Sequence, residues 1–244
     1  MHAITRRQAA LGMLALVAAC LFSPAAEPSG LEWSTLPPLP VAVAGQFAGV
    51  NNGALIVAGG ASFSVPPWEG GKKEWHDAVW VLLRGDDAWR VGGILPHSLA
   101  YGASVSTPDG VIIAGGSDGA RHFAHTWRLR WTGEAVAVDL LPDLPAPAAY
   151  CAGSLLNGVM YVIGGQTAPD SLSGSNAFYR LDRGATEPRW QTLEPLPGPA
   201  RILPVAAAQA GSIYVFGGAN LVAGANGAAV RTYLNDGYRY TPGA

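Results

Sequence analysis

One local pattern occurs four times in this 244-residue chain and limits what the chain can fold into. The stretches "NNGALIVAGG", "PDGVIIAGG", "LNGVMYVIGG" and "QAGSIYVFGG" each place a turn glycine (Gly53, Gly110, Gly158, Gly211) just ahead of a glycine pair. The pairs begin at Gly59, Gly115, Gly164 and Gly217, at intervals of 56, 49 and 53 residues. A Leu-Pro marker ends at Pro40, Pro96, Pro145 and Pro197, at intervals of 56, 49 and 52. Two separate markers that vary in step define a repeat, and a repeat of this length is a unit that buries its faces against its neighbours. The apolar run before each glycine pair is therefore one strand of a repeating β structure, not a lone phosphate-binding loop.

Each unit reads as four strands. Strand a is small and apolar ("GQFAGVN", "YGASVST", "YCAGSLL", "PVAAAQA"). A turn such as Asn52-Gly53, which accepts positive φ at little steric cost, leads into strand b. Strand c carries an aromatic residue: Trp80, Trp127, Tyr179 or Tyr238. Strand d carries the Leu-Pro pair, usually behind a tryptophan, as in "WQTLEPLP". These marks predict an all-β, kelch-type β-propeller with four recognisable blades, at about 41–96, 97–145, 146–197 and 198–244. Residues 31–40 ("LEWSTLPPLP") are expected to be an orphan outer strand, because no strands a to c precede them. Small residues of strand a suit the crowded propeller centre, and the aromatics pack between blades farther out. Strands of one blade run antiparallel, so a–b turns share one face while b–c and d–a loops share the other. The b–c loops are the long ones, which places binding groups on that face.

Composition agrees and excludes some functions. The 32 glycines and 19 prolines fit frequent turns, and charged residues make up only 13%. Net charge is −2 and no basic cluster is present, which argues against a nucleic-acid partner. Residues 1–26 read as an export signal: Arg6 and Arg7, an apolar run from Leu11 to Phe22, then small residues. That run is shorter than the roughly 20 residues a membrane span needs. "VAAC" resembles a lipobox, which would make Cys20 a lipid-anchored N-terminus and Cys20 the one membrane attachment; the competing cut follows Ala25 or Ala26. The expected location is the periplasm or cell surface. Either cut leaves Cys151 without an intrachain partner, so the core must hold the fold.

The first blades go beyond a generic repeat. "LPVAVAGQFAGVNNGALIVAGGASF", "WEGGKKEWHDAVWVL" and "LAYGASVSTPDGVIIAGG" resemble the last two blades of bacterial sialic-acid mutarotases (N-acetylneuraminate epimerases). The following "LNGVMYVIGG", "FYRLD" and "LPGPAR", then "GSIYVFGG" and "DGYRY", resemble that family's first two, in circularly permuted order. The resemblance implies an exported six-bladed kelch propeller that exchanges the α and β anomers of free sialic acid. It implies an isomerase with no cofactor and no metal. Here four units stand where the family has six. The chain is thus expected to be a partial ring; the rival is a closed four-bladed ring, the orphan strand d pairing with the last strand c. The family's Glu, followed six residues later by an Arg, has no counterpart on any b–c loop, so the catalytic residues are unassigned. Leu99 stands where the family carries an Arg before "AYG".

Mutarotation needs a base for the anomeric hydroxyl and an acid for the ring oxygen, and an anionic sugar needs a cation, preferably a forked Arg. The matched "EGGKK" and "PGPAR" segments give Glu69, Lys72, Lys73 and Arg201 as candidates for substrate contact. His122 and His125 lack a third metal ligand in pattern. Tyr150 and Cys151, adjacent on a strand, point to opposite faces, and Cys151 is expected in the core. A non-catalytic glycan- or protein-binding propeller is the alternative function, since the fold serves both.

Overall fold

The computed structural model describes Gly30 and residues 33–243. The expected export signal, with Cys20, lies outside the described residues. Residues 33–36 carry no regular secondary structure, and the unit from Pro37 onward holds all the described strands.

That unit is a β-propeller-type stack of antiparallel sheets. The first sheet is β1 (Phe47–Asn51), β2 (Ala54–Ala58), β5 (Ala78–Leu83) and β6 (Arg90–Ile94), in that order. Between β2 and β5 the b–c loop forms its own hairpin, β3 (Ala61–Phe63) with β4 (Lys73–Trp75). The second sheet runs β7 (Ala103–Thr107), β8 (Gly110–Ala114), β9 (Thr126–Trp131), β10 (Val136–Leu141). The third runs β11 (Ala152–Leu156), β12 (Val159–Ile163), β13 (Phe178–Asp182), β14 (Trp190–Thr192). The fourth has β15 (Val205–Gln209) and β16 (Ser212–Phe216), then skips a second loop hairpin, β17 (Ala219–Ala223) with β18 (Ala229–Tyr233), to reach β19 (Gly237–Tyr240).

Three of these sheets have four strands and the last has three among the described residues. Two features depart from expectation. First, the described part of the orphan segment, residues 33–40, is not a strand. Pro37 and Pro38 remove amides that a ladder would need. Second, the fourth sheet has three strands among the described residues, so the closed four-bladed ring with an outer strand on β19 is not formed.

The inner strands β1, β7, β11 and β15 pack in succession. Strand alternation gives each sheet two apolar faces, and adjacent sheets bury them against each other. Phe47, Ile56, Val79 and Val81 of the first sheet meet Val111, Ile113, Trp127 and Leu129 of the second. Ala103, Val105 and Ile112 of the second meet Met160, Val162, Tyr179 and Leu181 of the third. Leu156, Tyr161, Ile163 and Phe178 of the third meet Ile213, Val215, Tyr238 and Tyr240 of the fourth. Each such aliphatic or aromatic side chain contributes roughly 1.5–3 kcal/mol when fully buried. Polar pins fix the spacing. Trp131 N–H donates to buried Asn51 Oδ1 at 2.9 Å, and Asn51 Nδ2 donates to the Pro108 carbonyl at 3.3 Å.

The glycine pairs are explained by close approach. Gly59 has φ +63°, and a Cβ there would lie 2.2 Å from the Leu99 carbonyl oxygen. At Gly115 the corresponding distance, to the Ala148 oxygen, is 2.1 Å. The second glycine of the first three pairs uses the corresponding carbonyl as a hydrogen-bond acceptor: Gly60 to Leu99 at 2.9 Å, Gly116 to Ala148 at 2.7 Å, Gly165 to Arg201 at 2.8 Å. The d–a connection is thereby tied to the end of strand b in the first three blades, and it is this connection that builds the b–c face.

Candidate functional site

Just before each inner strand, one residue turns into the left-handed region: Gly45 (φ 67°), Tyr101 (64°), Tyr150 (58°) and Leu203 (55°). Tyrosine and leucine are uncommon there, and such a backbone costs on the order of 1–3 kcal/mol per residue. The strain is held by hydrogen bonds from blade to blade. Tyr101 N–H donates to the Gly45 carbonyl at 2.7 Å, Tyr150 to Tyr101 at 2.6 Å, and Leu203 to Tyr150 at 2.7 Å. The result is a backbone ladder across the inner ends of the blades on the b–c face. Gly45 is required at its rung, because a Cβ would lie 2.4 Å from the Tyr101 ring.

The ladder sets out an aromatic row. The Tyr101 and Tyr150 rings lie 4.9 Å apart, Trp75 meets Tyr101 edge-on at 5.7 Å, and His122 meets Tyr150 edge-on at 5.8 Å. Lys73 Nζ sits 4.2 Å from the Tyr101 ring centroid and 4.8 Å from that of Trp75, within cation–π range. The β3–β4 hairpin delivers both Lys73 and Trp75.

Beside Tyr150 opens a groove of about 670 Å³, lined by Tyr150, Gln166, Asp170, Leu203, Leu221 and Arg231 among others. Its walls come from the third b–c loop, the last d–a connection and the β17–β18 hairpin. Burial pushes the Tyr150 phenol up from its usual value, neighbouring Tyr101 adds to this, and Arg231 opposes it. Tyr150 therefore keeps its proton at neutral pH and acts as a donor. Gln166 is oriented by donating Nε2–H to the Ser171 carbonyl at 2.6 Å. His122 is buried with no hydrogen-bond partner on either ring nitrogen. Burial depresses its pKa; the Arg121 backbone and Gln166 oppose this in part, although Gln166 falls short of hydrogen-bond geometry. The imidazole is neutral at pH 7 and backs the groove behind Tyr150.

The four residues taken from sequence separate in the structure. Lys73 joins the aromatic row. Glu69, at the end of a short 3-10 turn (Pro67–Glu69), and Lys72 are exposed on the same b–c loop. Arg201 does not face the groove: it is fully buried, with Nη1 2.6 Å and Nη2 2.8 Å from the two Asp236 carboxylate oxygens. Nη1 also reaches the Gly217 carbonyl at 3.0 Å, and the guanidinium lies over the Tyr238 ring. All its donors thus serve the junction of the third and fourth blades.

Sequence reasoning did not assign Tyr101, Tyr150, Gln166 or Asp170 to substrate contact. A signal was present: "LAYG" and "AAYC" place a tyrosine at the same repeat position in consecutive blades. His122 and His125 diverge, the latter bonding His97 at 3.3 Å. No three metal-ligating side chains cluster among the described residues. Cys151 packs at the edge of the second core, and burial pushes its thiol up to about 12, so it is not a nucleophile at neutral pH. On the opposite face Asp109, Arg128, Asp139 and Arg183 pair with one another, which leaves the b–c face with the open polar groove.

Comparison with known proteins places this arrangement. Residues 23–138 match the family described as N-acetylneuraminate epimerase. Proteins of that name from Vibrio cholerae and Yersinia pestis are similar: 35% identical over 123 residues and 33% over 129, covering 43% and 45% of this chain. The match covers 32% of each relative, so the chain spans about a third of the length of the curated relatives it matches. A solved structure titled "Structure of YjhT" superimposes with a TM-score of 0.71 at 15% identity, covering 86% of this chain and 72% of that one. The first half of the chain is thus similar in sequence to the N-acetylneuraminate epimerase family, on a kelch-type β-propeller fold.

Proposed function

We propose that the groove binds a carboxylated sugar of the sialic-acid class and exchanges its α and β anomers. The observation that carries this reading is the convergence of Arg231, Asp170 and Tyr150 on one groove, in a chain whose first half is similar to N-acetylneuraminate epimerases. Arg231 offers a forked cation to the sugar carboxylate. Asp170 is the base that takes the anomeric hydroxyl proton, and Tyr150 the acid that protonates the ring oxygen as the C–O bond breaks. The open-chain ketone rotates, and the reverse proton transfers close the ring on its other face. Charge and electrons balance without a cofactor. Lys73, over Trp75 and Tyr101, extends the cationic rim towards Lys72 and Glu69. The missing Glu and Arg six apart favour a second reading, a glycan-binding propeller without catalysis.

The test follows anomer exchange of sialic acid by NMR, alongside calorimetric binding. A rate above buffer that falls in Tyr150→Phe supports the isomerase. Binding with a rate equal to buffer supports the second reading, and no binding at all rejects both. We place this activity after export, in the periplasm or at the cell surface; a Cys20→Ser chain that fractionates unchanged would remove the lipid anchor from that account.

A further inference from the structure

The groove beside Tyr150 has two kinds of wall. Tyr150, Asp170 and Arg231 serve the proton transfers and the carboxylate. The rest includes Gln166, Ile202, Leu203 and Leu221, which those steps do not employ.

The ladder of left-handed residues explains the aliphatic part. Each rung leans back on the one before it. The Tyr101 ring packs where Gly45 has no Cβ, and the Tyr150 ring lies 4.9 Å from that of Tyr101. Leu203 is the next rung, with the same turn (φ 55°), and its N–H donates to the Tyr150 carbonyl at 2.7 Å. A leucine side chain thus stands where the pattern of the two preceding rungs would carry a third tyrosine. Leucine is strained in this backbone, and strain of this kind clusters at ligand-binding positions. Ile202 and Leu221 are buried together, with Tyr150 packed against them. This corner of the groove is an uncharged alkyl shelf.

Gln166 stands at its edge. Gly165 N–H donates to the Arg201 carbonyl at 2.8 Å, which sets Gln166 close to Ile202. Gln166 is 7% exposed, and its Nε2 donates to the Ser171 carbonyl at 2.6 Å. A carbonyl only accepts, so the side-chain amide is fixed with Nε2 towards Ser171 and Oε1 as its acceptor end. The buried His122 ring does not satisfy that acceptor. An acceptor beside an alkyl shelf fits a secondary amide, which has an N–H to donate and a short alkyl group to bury. A charge placed there would be unpaired, and a bare hydroxyl would leave the shelf uncovered.

We infer that this corner is an acylamino subsite: Gln166 Oε1 accepts the amide N–H of an acylamino substituent on the sugar, and Leu203 with Leu221 holds the acyl methyl. The inference rests on the groove taking an acidic sugar, and it makes Leu203 the residue that decides which acidic sugar is preferred.

The test measures, by calorimetry on the 244-residue chain, the affinity for N-acetylneuraminic acid and for its analogue with a hydroxyl in place of the acetamido group. The acetamido sugar should bind about fivefold tighter, the worth of one to two buried carbons. Leu203→Gly keeps a residue suited to positive φ, removes the alkyl group and should bring that ratio to about two or less. Gln166→Met should weaken both sugars about fivefold, since each offers a donor at that position. Arg231→Ala, acting on the carboxylate, should weaken both and keep the ratio. Equal affinities for the two sugars, a ratio that survives Leu203→Gly, or unchanged binding in Gln166→Met would overturn the acylamino subsite and leave the acidic-sugar reading standing. Binding of neither sugar would overturn both.

Discussion

Removing Asp236 should be far more damaging than removing its partner. The Arg201 guanidinium is wholly enclosed, whereas the Asp236 side chain is 28% exposed. Asp236→Ala strips Nη1 and Nη2 of their carboxylate and leaves a cation that water cannot reach. Only the Gly217 and Pro199 carbonyls remain, at 3.0 and 3.3 Å. Breaking a buried pair this way costs about 3–5 kcal/mol, and the two surviving acceptors set the expectation near the lower end, about 3 kcal/mol. Arg201→Leu instead leaves a carboxylate that can be rehydrated, and a leucine, Leu99, already occupies the same repeat position at the junction of the first and second blades, fully buried. Its cost should be about 1–2 kcal/mol. In urea titrations, Asp236→Ala should lower the midpoint at unchanged slope, and Asp236→Ala combined with Arg201→Leu should be more stable than Asp236→Ala alone. An Asp236→Ala cost equal to or below that of Arg201→Leu would refute the argument. The pair also sets a pH limb. Arg201 holds the Asp236 carboxyl below its usual 3.8, so its contribution is complete above that value and is lost as pH falls through the folded-state pKa. Arg201→Leu should flatten that acid limb.

Four further outcomes follow from the same geometry. Gly115→Ala forces a Cβ to 2.1 Å from the Ala148 oxygen at positive φ, and should cost more than 3 kcal/mol by thermal or urea unfolding. Asn51→Ala leaves the Trp131 amide without its acceptor and should cost about 2 kcal/mol, against less than 0.5 kcal/mol for the exposed Asn226→Ala. His122 is buried with a pKa below its usual 6.5, so its contribution is complete above 6.5 and shrinks as pH falls below it; His122→Phe should remove that slope between pH 6.5 and 5. Arg231→Ala should weaken sialic-acid binding at least tenfold by calorimetry while leaving the urea midpoint unchanged, because its side chain is exposed.

The fold was legible because its constraints are local and recur. A glycine pair pressed against a carbonyl, and a Leu-Pro pair closing each blade, leave marks at fixed offsets that need no partner to read. The site was legible only in part. Lys73 was offered because it sits in a distinctive segment, and it lies over Trp75 and Tyr101. Arg201 was offered for the same reason but is buried in an ion pair, since sequence cannot show that Asp236, on the fourth b–c loop, turns back to meet this d–a residue. Arg231 meets Asp170 and Gln166, which share the third b–c loop, only through the stagger of consecutive blades. The β3–β4 and β17–β18 hairpins were hidden inside stretches with too little alternation to declare strands. Tyr101 and Tyr150 are the instructive case: their left-handed backbone is unfavourable for tyrosine on local grounds and is imposed by the neighbouring blade.

The ladder through Gly45, Tyr101, Tyr150 and Leu203 also bears on how such a chain changes length. Each rung has the same backbone conformation and, from Tyr101 on, donates to the rung before it, so the rungs are interchangeable joints. Excising residues 46–101 would join Gly45 directly to Gly102, removing one whole module while preserving the handedness of the joint and the phase of every strand that follows. Cuts elsewhere would divide a sheet. A gene encoding this architecture is therefore free to gain, lose or reorder modules at these joints, and the number and order of blades can drift while the geometry around each tyrosine stays fixed.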